Sequence, residues 1–174
     1  MLELTPAAPD ESGIVIDLLE QAAARLHARG ITDQWPLRFE PEWIEAGLRR
    51  KQTWLAREDG AVVGTITLNW SDPLWTDLGP TDVAGYVHRL TVLPTARGLG
   101  ATLLDWAAGE IRAHGRDLLR LDCVSINTRL NEYYRAAGFE PMGEVAVAGA
   151  PGMREPDGEK FTLSRYQRYV GERS

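Results

Sequence analysis

The sequence predicts a mixed α/β fold built around one sheet. Three observations predict it. The hydrophobic period switches between 3.6 and 2 along the chain. Glycine and proline mark the switches. The segments then alternate in the order β-α-α-β-β-β-α-β-α-β-β, which suits helices packed on a sheet. With 174 residues, 44% hydrophobic and 25% charged, the chain reads as a single domain over 1–174 and not as a disordered one.

Residues 2–5 read as a short strand. Asp10 can cap a helix whose inner face holds Val15, Leu18, Leu19, Ala22 and Leu26, and Gly30 ends it. Trp35-Pro36 lies in a loop. Pro41 opens a second short helix with Ile44, Gly47 and Leu48 inward. Residues 53–58 and 61–69 read as strands joined at Asp59-Gly60. A loop from Trp70 to Asp82 follows, then a strand over 84–92 stopped by Pro94. Arg97-Gly98-Leu99-Gly100 leads into a helix to about His114, with Leu99, Leu103, Ala107 and Ile111 on one face. Residues 118–124 form a buried-looking strand. Asn127 can cap a helix to Ala137 that puts Leu130, Tyr133, Tyr134 and Ala137 on one face, and Gly138 closes it. Strands near 139–147 and 159–165 complete the order.

The bulk chemistry excludes several classes. A net charge of −6 with no basic stripe argues against a nucleic-acid partner. The one cysteine, Cys123, allows neither an internal disulfide nor a cysteine metal site, and His27, His88 and His114 lack ligand spacing, so no metal is expected. No signal peptide is expected at Met1-Leu2-Glu3-Leu4-Thr5, and no apolar run nears the ~18 residues of a membrane span. A cytoplasmic protein is expected.

The strand–glycine–helix passage at 97–100 is a candidate phosphate cradle, because a helix N-terminus offers unpaired amides and the positive end of its dipole. The residues alone leave a plain flexible turn equally open. A P-loop is excluded, since no Lys-Ser/Thr follows. A dinucleotide fingerprint has Gly98, Gly100 and Asp122 in its favour, but Leu103 stands at its third glycine.

Residues 86–107, Tyr-Val-His-Arg-Leu-Thr-Val-Leu-Pro-Thr-Ala-Arg-Gly-Leu-Gly-Ala-Thr-Leu-Leu-Asp-Trp-Ala, strongly resemble the acyl-CoA-binding segment of the GNAT superfamily of N-acetyltransferases. The family's Gln/Arg-x-x-Gly-x-Gly/Ala aligns with Thr95-Ala96-Arg97-Gly98-Leu99-Gly100, with Thr95 where Gln or Arg is usual. Asn127-x-x-Leu130-x-x-x-Tyr134-x-x-x-Gly138-Phe139 is similar to a second segment of that family, in the expected order. The resemblance implies a GNAT-like fold, acetyl-CoA as co-substrate, and an amine acceptor on a small molecule or peptide. It implies that the amides of Arg97, Gly98, Leu99, Gly100 and Ala101 hold the diphosphate. It further implies that the backbone of Leu90, Thr91 and Val92 pairs with the pantetheine arm, with Asn127 also on the cofactor side. A homodimer is a family-level analogy.

Acetyl transfer to an amine needs a donor for the leaving thiolate and a base for the amine. Tyr134 matches the family's tyrosine in the first role, and a phenol stays protonated at neutral pH. Packing on a buried face is the alternative for Tyr134. Strand alternation puts Tyr86, His88, Leu90 and Val92 on one face, and His88 is the candidate base; a structural histidine is equally open. Tyr133 and Cys123 read as core. The resemblance implies an acceptor pocket among Trp35, Phe39, Trp70, Trp75, Tyr86 and the stretch Gly149–Gly158 with Met153 and Arg154, whose aromatics suit an amine. Asp33, Asp72 and Asp77 are candidate carboxylates for an ammonium, with solvated loop charge as the plainer reading. A non-catalytic acyl-CoA-binding module on the same fold is the rival, and it would need neither Tyr134 nor His88.

Overall fold

The computed structural model describes residues 1–148 and 160–172. Its elements are β1 (Leu2–Pro6), α1 (Ser12–Ala28), α2 (Glu42–Arg49), β2 (Thr53–Glu58), β3 (Ala61–Asn69), β4 (Ala84–Val92), α3 (Leu99–Ala113), β5 (Leu118–Val124), α4 (Thr128–Ala136), β6 (Glu140–Val147) and β7 (Phe161–Tyr169). The order is the one read from the sequence. Seven strands hydrogen-bond in the sequence β1-β2-β3-β4-β5-β7-β6.

The chain divides into two compact units. The first comprises residues 1–68 and 88–103. In it, β1 pairs antiparallel with β2, and β2 with β3. The β2–β3 turn places Asp59 at φ +50° and Gly60 at +85°, the doubly left-handed geometry of a tight hairpin. Val15, Leu18, Leu19, Ile44, Leu48 and Leu55 form its core. Helix α1 starts later than Asp10 suggests. A short 3-10 turn, Pro9–Glu11, precedes it, and Glu11 Oε2 accepts the Ala8 amide at 3.0 Å. The other Glu11 oxygen pairs with Arg57 at 2.6 Å, so an acid two residues past the proline sets the helix entry.

The second unit comprises residues 69–87 and 104–174. Here β4 runs parallel to β5 at Ala84, Gly85 and Tyr86, and β7 lies antiparallel to both β5 and β6. Helix α4 ends at Gly138, whose φ of +86° suits a residue without a Cβ.

One close approach positions the candidate cofactor strand. In β3, a Cβ added at Gly64 would lie 2.9 Å from the Thr91 carbonyl oxygen and 3.1 Å from Val92 Cγ1. Only glycine lets β3 lie that near Thr91 and Val92. Gly64→Val is expected to cost about 1–3 kcal/mol in urea unfolding, because the obstruction is backbone. A variant as stable as wild type would contradict this reading.

Candidate active site

In the first unit the glycine turn is open to solvent. Gly98 has φ +82°, and nothing lies within 4 Å of where its Cβ would be. The turn closes through Ala96 N–H to Leu93 C=O (2.9 Å) and Leu99 N–H to Ala96 C=O (3.2 Å). Thr102 N–H and its hydroxyl both reach Gly98 C=O at 3.4 Å. These bonds leave the amides of Gly98, Gly100 and Ala101 outside the turn's closure, at the N-terminus of the 15-residue helix α3. Thr95 and Arg97 are exposed. The turn therefore fits an anionic group approaching the backbone.

His88 and Leu90–Val92 are half-buried on β4. Between them Arg89 adopts φ +49°, which breaks the pleat. The predicted alternation therefore does not run through β4, and the single face drawn through Tyr86, His88, Leu90 and Val92 is corrected. Arg89 turns toward the first unit's aromatic cluster. Its Nη1 donates to Trp43 C=O (3.2 Å), its guanidinium lies 5.9 Å from the Phe39 ring centroid, and desolvation lowers its pKa.

That cluster changes the acceptor reading. Phe39 is buried, edge-on to both Trp35 (6.4 Å) and Trp43 (6.2 Å). It is core, not pocket lining. Trp35 remains half-buried beside it.

In the second unit, Tyr134 packs beside a hydrogen-bond network of Asn127, Asn131 and Tyr166. Asn127 Oδ1 accepts the Leu130 amide at 3.2 Å, the predicted cap, so its side-chain oxygen is committed to α4 rather than offered to a cofactor. Asn131, which the sequence reading passed over, donates to Asn127 C=O (2.8 Å) and Val124 C=O (3.3 Å). The Tyr166 hydroxyl donates to Asn131 Oδ1 at 2.5 Å. The Tyr134 ring packs against Phe139 (5.5 Å) and Tyr166 (5.7 Å). Among the described residues the Tyr134 hydroxyl has no hydrogen-bond partner. Burial, with Cys123 and the Asp122 charge adding to it, holds its pKa far above the usual phenol range, so it is a donor at any working pH. Tyr133, predicted as core, is exposed instead, because α4 is narrow-faced and turns it outward. Burial, helped by Asp122, pushes the Cys123 thiol up to about 12.

The remaining predicted pocket residues are not brought together as rim. Trp70 stacks on His114 at 3.7 Å, at the C-terminal end of α3, and Arg116 ties its carbonyl (2.5 Å). Trp75 is fully buried with Tyr86 and Ala84. Tyr86 is also fully buried; its hydroxyl donates to Thr81 C=O (2.8 Å) and accepts from Arg120 (3.0 Å). Asp77 is bound bidentately by Arg165 (2.7 and 3.2 Å), which lowers its pKa, and Asp72 caps the turn Pro73–Leu78 through the Leu74 amide. Neither is simply solvated loop charge. His27 is held at the end of α1, its Nε2 2.8 Å from Trp35 C=O. Gly149–Gly158, with Met153 and Arg154, lies outside the described residues.

Two buried arginines flank Trp75. The Arg120 guanidinium is 4.8 Å from its ring centroid and that of Arg165 is 5.5 Å away. Trp75 Nε1 is buried without a hydrogen-bond partner. Arg120 Nε donates to Gln167 Oε1 at 2.8 Å. Such aromatic contacts return about 0.5–2 kcal/mol. The sequence carried a signal for this: Arg120 interrupts the apolar strand Leu118–Val124.

Residues 17–139 match the family model described as the Acetyltransferase (GNAT) family. The chain belongs to the GNAT acetyltransferase family. It is 29% identical over 151 residues to the uncharacterized N-acetyltransferase YesJ of Bacillus subtilis, covering 81% of this chain and 83% of YesJ. Its fold is shared with YncA from Salmonella typhimurium, solved with its cofactor acetyl-CoA (TM-score 0.67, 18% identity, 100% and 96% of the two chains). It is likewise shared with a GNAT-family acetyltransferase from Listeria monocytogenes (TM-score 0.72, 24% identity, 97% and 94% coverage). Among the described residues no helix is long and apolar enough to cross a membrane.

The two phenols of the second unit should separate in stability. Tyr134→Phe is expected to change urea stability by no more than about 0.5 kcal/mol, since no bond is lost. Tyr166→Phe is expected to cost about 1–3 kcal/mol, because Asn131 Oδ1 is left buried without a donor. Equal costs would contradict the assignment. In the folded protein Cys123 is expected to resist iodoacetamide at pH 8 and to react once guanidinium unfolds the chain; ready labelling of the folded form would overturn its reading as buried core.

Proposed function

We propose that residues 1–174 act as one N-acetyltransferase domain, moving an acetyl group from acetyl-CoA to a primary amine by direct attack in a ternary complex. Tyr134 carries this reading: its side chain is largely buried, and its hydroxyl is a protonated donor for which no hydrogen bond is found among the described residues, in a chain of an acetyltransferase family. Acetyl-CoA supplies the activated thioester.

The amides of Gly98, Gly100 and Ala101, with Arg97 and Leu99 in the same turn, hold the diphosphate at the start of α3. The backbone of Leu90, Thr91 and Val92 aligns the pantetheine arm as an added strand would. His88 takes the proton released by the amine nitrogen as the new C–N bond forms, directly or through a water. Tyr134 gives its hydroxyl proton to the sulfur as the C–S bond breaks, so the thiol leaves neutral. The proton held at His88 then returns through solvent, and the phenol is restored. Cys123 takes no part, because a thiol pushed up to about 12 offers almost no thiolate.

A thiol-release assay with acetyl-CoA against a panel of amines tests the activity. Intersecting initial-velocity lines are expected; parallel lines would indicate a covalent acetyl-enzyme and contradict direct attack. Absence of thiol release with every amine, while acetyl-CoA still binds, would instead favour the non-catalytic binding module. His88 has its own readout. In wild type kcat/KM is expected to fall toward acid pH as the base is protonated, and that acidic limb should vanish in His88→Ala. An unchanged profile would remove His88 from the base role.

A further inference from the structure

We infer that Arg89 is a positioning residue: its side chain holds a left-handed break in β4, and that break sets His88, the proposed base, relative to the cofactor strand Leu90–Val92. This rests on the acetyl-transfer reading above and names what aligns the same site.

The backbone makes the first demand. Arg89 lies within β4 at φ +49°. Among the described residues two other non-glycines, Lys51 and Asp59, have positive φ, and both stand in turns. A turn accommodates that geometry. A strand does not, and a long side chain gains nothing locally from it, unlike the short polar chains of Asn and Asp. Such a conformation persists only where surrounding contacts over-determine it.

The Arg89 side chain makes such contacts. Its Nη1 donates to Trp43 C=O at 3.2 Å, and its guanidinium lies 5.9 Å from the Phe39 ring centroid. The anchor is itself fixed. Phe39 belongs to the buried core with Leu19, Ile44 and Leu48, and its amide donates to Glu20 Oε1 at 3.1 Å. Trp43 packs against that core, edge-on to Phe39 at 6.2 Å. Past the break, β4 is held from its other side. Leu93 N–H donates to Val63 C=O at 2.8 Å, and β3 lies close against Thr91 and Val92 at Gly64. All of these residues belong to the first unit. The break therefore sits between two fixed points, and the Arg89 side chain ties it to α2.

In a regular strand His88 would share a face with Leu90 and Val92. The break interrupts that phase. The direction from which His88 meets an acetyl group carried along Leu90–Val92 thus depends on φ at residue 89. A misplacement of about 1 Å at a reacting centre costs on the order of 10²-fold in rate.

Paired substitutions test the inference. Arg89→Ala removes the tether and disfavours the left-handed conformation; Arg89→Asn removes the tether but tolerates that conformation. In thiol release with an accepted amine, Arg89→Ala is expected to lower kcat by about tenfold or more, with calorimetric acetyl-CoA affinity nearly unchanged. Arg89→Asn should recover part of that loss. Because Arg89 acts through His88, adding Arg89→Ala to His88→Ala should cost little more. Full kcat in Arg89→Ala, equal losses in the Ala and Asn variants, or a full further loss in the His88→Ala background would overturn the inference and leave the acetyl-transfer reading intact. Wild-type protein gives a readout that needs neither activity nor a stable variant. A strong intraresidue HN–Hα nuclear Overhauser effect, the mark of a positive φ, is expected at residue 89 in a ¹⁵N-edited spectrum; a weak one would overturn the inference. If that signal is strong but no amine releases thiol, the break stands and the acetyl-transfer reading falls, taking the positioning role with it.

Discussion

The hydrogen bond from the Tyr166 hydroxyl to Asn131 Oδ1 is the contact on which the surroundings of the proposed catalytic Tyr134 depend. Asn131 stands mid-helix, where an amide side chain competes with the backbone and ordinarily weakens a helix. Here each end of the amide is used. Its nitrogen serves the carbonyls of Val124 and Asn127, and its oxygen takes the Tyr166 proton. Helix α4 is thereby fastened to the end of β5 and to β7. With Asn131 and Tyr166 satisfied by one another, the neighbouring Tyr134 is ordered by packing alone. A phenol ordered by packing keeps its proton and both lone pairs for a ligand.

The same economy governs the candidate cofactor side. The glycine turn is closed by the bonds of Ala96, Leu99 and Thr102, which spare the amides at the start of α3. A left-handed Gly98 makes that geometry strain-free. In both units the groups offered to ligands are those that the fold's own hydrogen bonds leave over.

The element order was legible because its signals are local. Periodicity needs only a turn or two of helix or a few strand residues, and Gly30, Asp59-Gly60, Pro94 and Gly138 sit where the chain must change direction. The glycine turn and Tyr134 were singled out by the resemblance to family motifs, not by spacing alone. Burial of the aromatics was not legible. Trp75 and Phe39 lie in connecting segments, and segment type alone does not say that a turn folds its tryptophan fully inside. Asn131 carried no local signal on α4, since its partner Tyr166 is 35 residues away. The break at Arg89 had no signal, because a positive φ at a non-glycine residue is imposed by packing around it.

The central claim is that Tyr134 acts on the leaving sulfur and not on binding or folding. Single-turnover acetyl transfer by Tyr134→Phe, with acetyl-CoA affinity measured by calorimetry on the same sample, tests it most directly. The account predicts a chemical step slowed by about 10²–10⁴-fold with affinity nearly unchanged. An undiminished single-turnover rate, or a loss confined to acetyl-CoA affinity, would contradict it.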